Sequence, residues 1–112
     1  MVRRRITRIV CIALLLGCAQ PSAGTDRFLD SLEKGIQMPP GSKPLQQYSR
    51  SYFYVEGGTK VMGVLTTLRS PGRHWVAQNP GPFVADGGCA IITVVIDAGT
   101  QRVEHVECNG VG

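Results

Sequence analysis

Phe28, Leu29, Leu32 and Ile36 recur at helical spacing, with Asp30, Glu33 and Lys34 on other faces. Apolar residues so spaced form one stripe of an amphipathic helix. Thr25 or Asp26 suits its N-terminal cap, Gly35 is a natural stop, and Pro39-Pro40-Gly41 forbids continuation. The pattern predicts a helix over 26–34. It then shifts to strand character: residues 48–56 hold Tyr48, Tyr52, Phe53, Tyr54 and Val55, and Lys60 to Leu68 is rich in Val and Thr. Two such runs about Gly57-Gly58 predict a β-hairpin. Tyr52 and Tyr54 would share one face and Phe53 and Val55 the other, one pair packing on the helix and the second facing solvent or a partner.

From Ser70 to Gly88 the chain has three prolines, four glycines and no sustained period, so a long loop is expected. Trp75, Val76, Phe83 and Val84 would pin it to the sheet. Cys89 to Asp97 is an almost unbroken apolar run, expected as a strand buried on both faces. Asp97-Ala98-Gly99-Thr100 supplies a turn, and Arg102 to Cys108 returns as an alternating strand. Val103, His105 and Glu107 would lie on one face, with Glu104, Val106 and Cys108 on the other. The expected fold is α+β: one short N-terminal helix packed on a small antiparallel sheet of about four strands, in two hairpins.

The N-terminal apolar run has another character. Arg3, Arg4, Arg5 and Arg8 precede Ile9 to Leu16, and the run ends at Leu15-Leu16-Gly17-Cys18. As helix, Ile9 to Gly17 would extend roughly 14 Å, against the roughly 30 Å of a bilayer core. A basic head and a short apolar stretch ahead of small residues have the form of an export signal. Leu15, Leu16, Gly17 and Cys18 resemble the lipobox of bacterial lipoprotein precursors. That resemblance implies cleavage between Gly17 and Cys18 and acylation (palmitate and diacylglycerol) of Cys18, hence a membrane partner. Ala19 after the cysteine favours the outer membrane, facing the periplasm. Ordinary cleavage after Gly17-Cys18-Ala19 or Ser22-Ala23-Gly24 would instead give a soluble secreted chain. The expected division is therefore a signal over 1–17, a lipidated cysteine with a flexible tether over 18–24, and one domain over 25–112.

Removing the signal changes the meaning of the charge. The whole chain carries +4, from twelve Lys and Arg against eight Asp and Glu. Four of the basic residues are Arg3, Arg4, Arg5 and Arg8, whereas every acidic residue lies beyond Cys18, so the remainder is formally neutral. Its basic residues are scattered singly, which removes the case for a nucleic-acid partner. The remaining cysteines, Cys89 and Cys108, fall at the open end of the C-terminal hairpin, where an oxidising compartment would join them. The order Asp-Gly-Gly-Cys, apolar strand, turn, strand, Cys-Asn-Gly over 86–112 is similar to a group of small exported bacterial proteins, from which no activity carries over.

Catalysis needs convergent groups, and these are sparse. His74 sits in the loop and His105 on a strand, and neither belongs to a zinc-ligand motif. Glu104 and Glu107 are expected to face opposite ways, and Asp86 and Asp97 adjoin or anticipate glycine turns. Gly87-Gly88 lacks the Gly-Lys-Ser/Thr ending of a phosphate loop. No cofactor, metal or enzyme activity is expected. The residues suited to a partner are Tyr52 and Tyr54 on the aromatic strand, with Arg50 nearby, and Arg73, His74 and Trp75 in the long loop. The expected role is a non-catalytic binding or accessory module with an envelope protein as partner. The alternative is a soluble secreted effector or inhibitor that recognises a protein through the 70–88 loop.

Overall fold

A computed structural model describes residues 23–80 and 88–110. The export segment, Cys18 and the start of the tether lie outside these residues, as do Phe83, Val84, Asp86 and Gly87. Among these residues the fold is α+β, with one α-helix and a five-stranded mixed sheet.

Helix α1 spans Ala23–Lys34. It begins earlier than the sequence pattern implies, so Thr25 and Asp26 lie in the first turn rather than at the cap. Asp26 near the start and Lys34 near the end match the helix dipole. The chain divides between Asp30 and Ser31, and residues 31–112 form the unit that contains the sheet. In the earlier stretch Leu29 is buried; in the last turn Leu32 is completely so. The helix stops at Gly35, with the Ile36 amide donating to the Glu33 carbonyl at 3.2 Å.

The strands are β1 (Ser49–Val55), β2 (Lys60–Thr66), β3 (Gly72–Trp75), β4 (Ile91–Asp97) and β5 (Val103–Cys108), in spatial order β3-β1-β2-β4-β5. Strands β1 and β2 form the expected hairpin, and so do β4 and β5. At the first turn Glu56, Gly57 and Gly58 all have positive φ, which only the two glycines adopt without steric cost. The loop expected over 70–88 needs correction, because Gly72–Trp75 pairs in parallel with β1 and makes the sheet mixed. Four residues with a single large apolar side chain give no strand period to read.

Cross-strand partners share a sheet face. One face carries Arg73 and Trp75 of β3, Arg50, Tyr52 and Tyr54 of β1, Val61, Gly63 and Leu65 of β2, and Ile92, Val94 and Ile96 of β4. Tyr52, Val61, Leu65, Ile92, Val94 and Ile96 are all fully buried there. On the opposite face Phe53, Val64 and Ile91 are buried, while Val55, Met62 and Val95 are only half-buried. The expectation that β4 is buried on both faces therefore holds at Ile91 and fails at Val95.

Strand β5 departs from simple alternation. Val106 pairs with Val94 and His105 with Val95, but Ile96 pairs with Val103, so a bulge sets Glu104 apart. Val94 and Ile96 share a face, which puts Val103 with Val106 rather than with His105 and Glu107. The bulge thus turns both valines towards the core side. Cys89 and Cys108 are joined by a disulfide, with Cα atoms 4.5 Å apart. In the chain-entropy account, closing this loop contributes about 3 kcal/mol. Tyr48, also completely buried, donates its hydroxyl to the Cys89 carbonyl at 2.7 Å and accepts the Lys43 amide at 3.2 Å. The disulfide is thereby coupled to the segment leading into β1.

Candidate functional site

The densest set of polar contacts lies where β1, β3 and the last turn of α1 meet. The parallel register sets Arg73 beside Arg50 and Trp75 beside Tyr52. Glu33 reaches the same point from the helix. Its Oε2 accepts from Arg50 Nε at 2.7 Å and from the Tyr52 hydroxyl at 2.6 Å, and its Oε1 accepts from Arg73 Nη1 at 3.2 Å. Arg50 Nη1 also donates to the Tyr48 and Leu45 carbonyls, at 3.1 and 3.3 Å. The side chains of Glu33 and Arg50 are each 11% exposed and that of Arg73 is 20% exposed.

A glycine makes room for this arrangement. A Cβ added to Gly63 would fall 2.6 Å from Cε1 and 2.8 Å from Cδ1 of Tyr52. The Tyr52 ring lies against bare backbone, which lets its hydroxyl reach Glu33. Burial above all, then the hydrogen bond to Glu33 and the negative charge there, push the Tyr52 phenol far above its usual range. The two guanidinium groups oppose this only in part. The Tyr52 hydroxyl is consequently held neutral, as a donor to Glu33.

Beside this clasp, Tyr54 and Trp75 form an edge-to-face pair, with ring centroids 4.8 Å apart and planes at 76°. Tyr54 is 50% exposed. Of the residues singled out for partner contact, Tyr52, Tyr54, Arg73 and Trp75 therefore share one face. Tyr52 is buried beneath it, and His74 is exposed on the opposite face. The division of the aromatic strand is not by face, as the sequence pattern implied, since Tyr52 and Phe53 are buried while Tyr54 and Val55 are not. Both sides of β1 are buried at Tyr52 and Phe53 and lose that burial in the two residues that follow.

Glu33 was not among the candidate residues, and Arg50 was noted only as a neighbour of the tyrosines. One signal was available for Glu33. A carboxylate in the last helical turn opposes the helix dipole, so its placement there implies a cationic partner.

Two further charged groupings lie on β2, β4 and β5. Lys60 Nζ donates to Glu104 at 2.6 and 2.8 Å and lies 3.6 Å from Asp97 Oδ2. Hydrogen bonding to Glu104 leads the rise in the Lys60 pKa. Asp97 Oδ1 accepts from the Gly99 and Thr100 amides and the Thr100 hydroxyl. These bonds, the Thr100 amide foremost, hold the Asp97 carboxyl below its ordinary pKa. His105 Nε2 and Glu107 Oε1 are 3.0 Å apart on the exposed side of β5. Among the described residues, no three His, Cys, Asp or Glu side chains gather as a metal site, and no helix is long and apolar enough to cross a membrane. Compared with protein-family models, curated proteins and solved structures, the chain matches none.

Proposed function

We propose that the protein is an exported bacterial envelope lipoprotein, anchored through Cys18, whose folded domain is a non-catalytic binding module. The structural observation that carries the export half of this reading is the Cys89–Cys108 disulfide, a bond that persists in oxidising compartments and is rare in the cytosol. The basic and apolar run ending at Gly17-Cys18 supports it independently. The binding half rests on Tyr54 and Trp75, an aromatic pair held partly in solvent by strands anchored to a rigid clasp. Aromatic side chains of this kind supply contact area with little conformational entropy to lose. The partner on this reading is an envelope component met at the membrane surface.

Two experiments in the native host test the two halves. Radiolabelled palmitate should enter the chain and remain with the membrane fraction, and Cys18→Ser should abolish both. Wild-type protein that takes up no label and fractionates as soluble would contradict the anchor. A photocrosslinking residue at position 54 should then give discrete adducts that the same residue at Thr100 does not. Equal adducts from both positions, or none from position 54, would contradict the binding face.

A further inference from the structure

Among the described residues strand β5 ends the sheet, and its outer edge has a self-complementary order of side chains. The Asn109 amide donates to the Ile91 carbonyl at 2.8 Å. With Cys108 opposite Ile92 and Glu107 opposite Thr93, this fixes which β5 backbone groups face β4. Those of Glu107 and His105 point inward to the ladder, while those of Val106 and Cys108 point outward. An antiparallel partner must place its own outward-pointing residues opposite these. A second copy related by a two-fold axis does so when the axis passes at Val106.

That register sets Val106 against Val106, on the regular part of β5 beyond the bulge at Glu104. It also places His105 of each copy opposite Glu107 of the other. The two residues already lie 3.0 Å apart within one chain, with side chains 48% and 64% exposed. Two-fold pairing would therefore create two cross-strand His–Glu pairs, in which an imidazole N–H faces a carboxylate acceptor and favours association, whereas like charges directly opposite would disfavour it. Moving the axis to Cys108 loses these pairs. An open cleft of about 350 Å³, lined by Gly35, Gln37 and Val103 to Val106, runs along the same edge. It leaves Val103 and Val106 half-buried at the rim, apolar surface that a partner strand would cover.

We propose that β5 is a homodimerisation edge, on which a second copy of this chain pairs antiparallel about Val106 to form one continuous ten-stranded sheet. The edge is six residues long, so the association is weak and concentration-dependent. Isologous closure also accounts for how an exposed edge avoids open-ended growth.

The test is site-specific disulfide trapping of the full chain in mild detergent. Val106→Cys places two thiols in a directly opposed pair and should give a covalent dimer under mild oxidation at least ten-fold faster than Glu104→Cys. The latter's thiols would stand roughly 13 Å apart, being four residues out of register. Adding His105→Glu to Val106→Cys should slow trapping several-fold, and adding Glu107→Lys as well should restore it. Comparable trapping at positions 104 and 106, no trapping at 106, or indifference to His105→Glu would overturn the proposal. The unmodified chain gives a second readout that does not depend on any variant folding. The Val106 and Cys108 amides should exchange with solvent more slowly as protein concentration rises, and exchange independent of concentration would overturn it equally.

Discussion

Replacing Glu33 by Gln tests whether the clasp holds the last turn of α1 against the sheet. The substitution keeps shape and leaves an amide oxygen for one donor, but it removes the carboxylate that receives Arg50, Arg73 and Tyr52 together. Removing one partner of a fully buried ion pair costs about 3–5 kcal/mol. Here the partners are 11–20% exposed, and Arg50 retains two carbonyl acceptors, which lowers the expectation to about 2–3 kcal/mol. At roughly 4–8 °C per kcal/mol for a domain of this size, the midpoint of thermal unfolding should fall by about 10–20 °C. Circular dichroism with denaturant titration measures both quantities. Tyr52→Phe should cost about 1–2 kcal/mol, and the double variant should cost less than the sum by about 1 kcal/mol, because both changes remove the same bond. A loss below about 0.5 kcal/mol for Glu33→Gln, or strict additivity with Tyr52→Phe, would refute the clasp as a stabilising unit.

Gly63→Ala should destabilise by about 1–3 kcal/mol through the Tyr52 ring, although alanine is ordinarily the better strand residue; calorimetry decides the sign. Reducing the disulfide, or replacing both Cys89 and Cys108 by Ser, should lower stability by about 3 kcal/mol in denaturant titrations. Tyr52 has a folded pKa raised above its unfolded value near 10, so its contribution is complete below that value and is lost as pH rises beyond it. Stability should therefore decline above about pH 10 more steeply in the wild type than in Tyr52→Phe, as equilibrium unfolding across that range would show. Asp97 behaves in the opposite sense: its folded pKa is lowered, so its contribution is present above the unfolded value and is lost on acidification through the folded one. Carboxyl NMR titration should find it below the usual aspartate range, moving upward in Thr100→Ala.

The parts of the fold visible in the sequence are those whose information is local. Both hairpins follow from β-branched runs on either side of glycine turns; the second sets Cys108 opposite Ile92, and the helical turn at Gly88–Ala90, which local pattern did not show, brings Cys89 to it. Strand β3 was not visible, because Gly-Arg-His-Trp carries no alternation and its strand state depends on the neighbouring edge of β1. The bulge in β5 was equally hidden, since one extra residue in a ladder shows only once the partner register is known. Alternation alone assigned Val103 to the wrong side. Tyr54, Trp75 and Arg73 were recognised as residue types suited to contact, but their gathering on one face, and the exclusion of His74 from it, follow from the parallel pairing of β3. The last-turn position of Glu33 implies a cationic partner, but which residues receive it depends on a tertiary contact that no local spacing encodes.

The claim on which the biological reading turns is that this is an anchored protein of an oxidising compartment. Intact mass spectrometry of the chain purified from its native host, before and after reduction, tests it most directly. The account predicts a polypeptide beginning at Cys18, heavier than its sequence by acyl groups, that gains the mass of two hydrogens on reduction. A chain that begins elsewhere without lipid, or whose Cys89 and Cys108 thiols are already free, would contradict it.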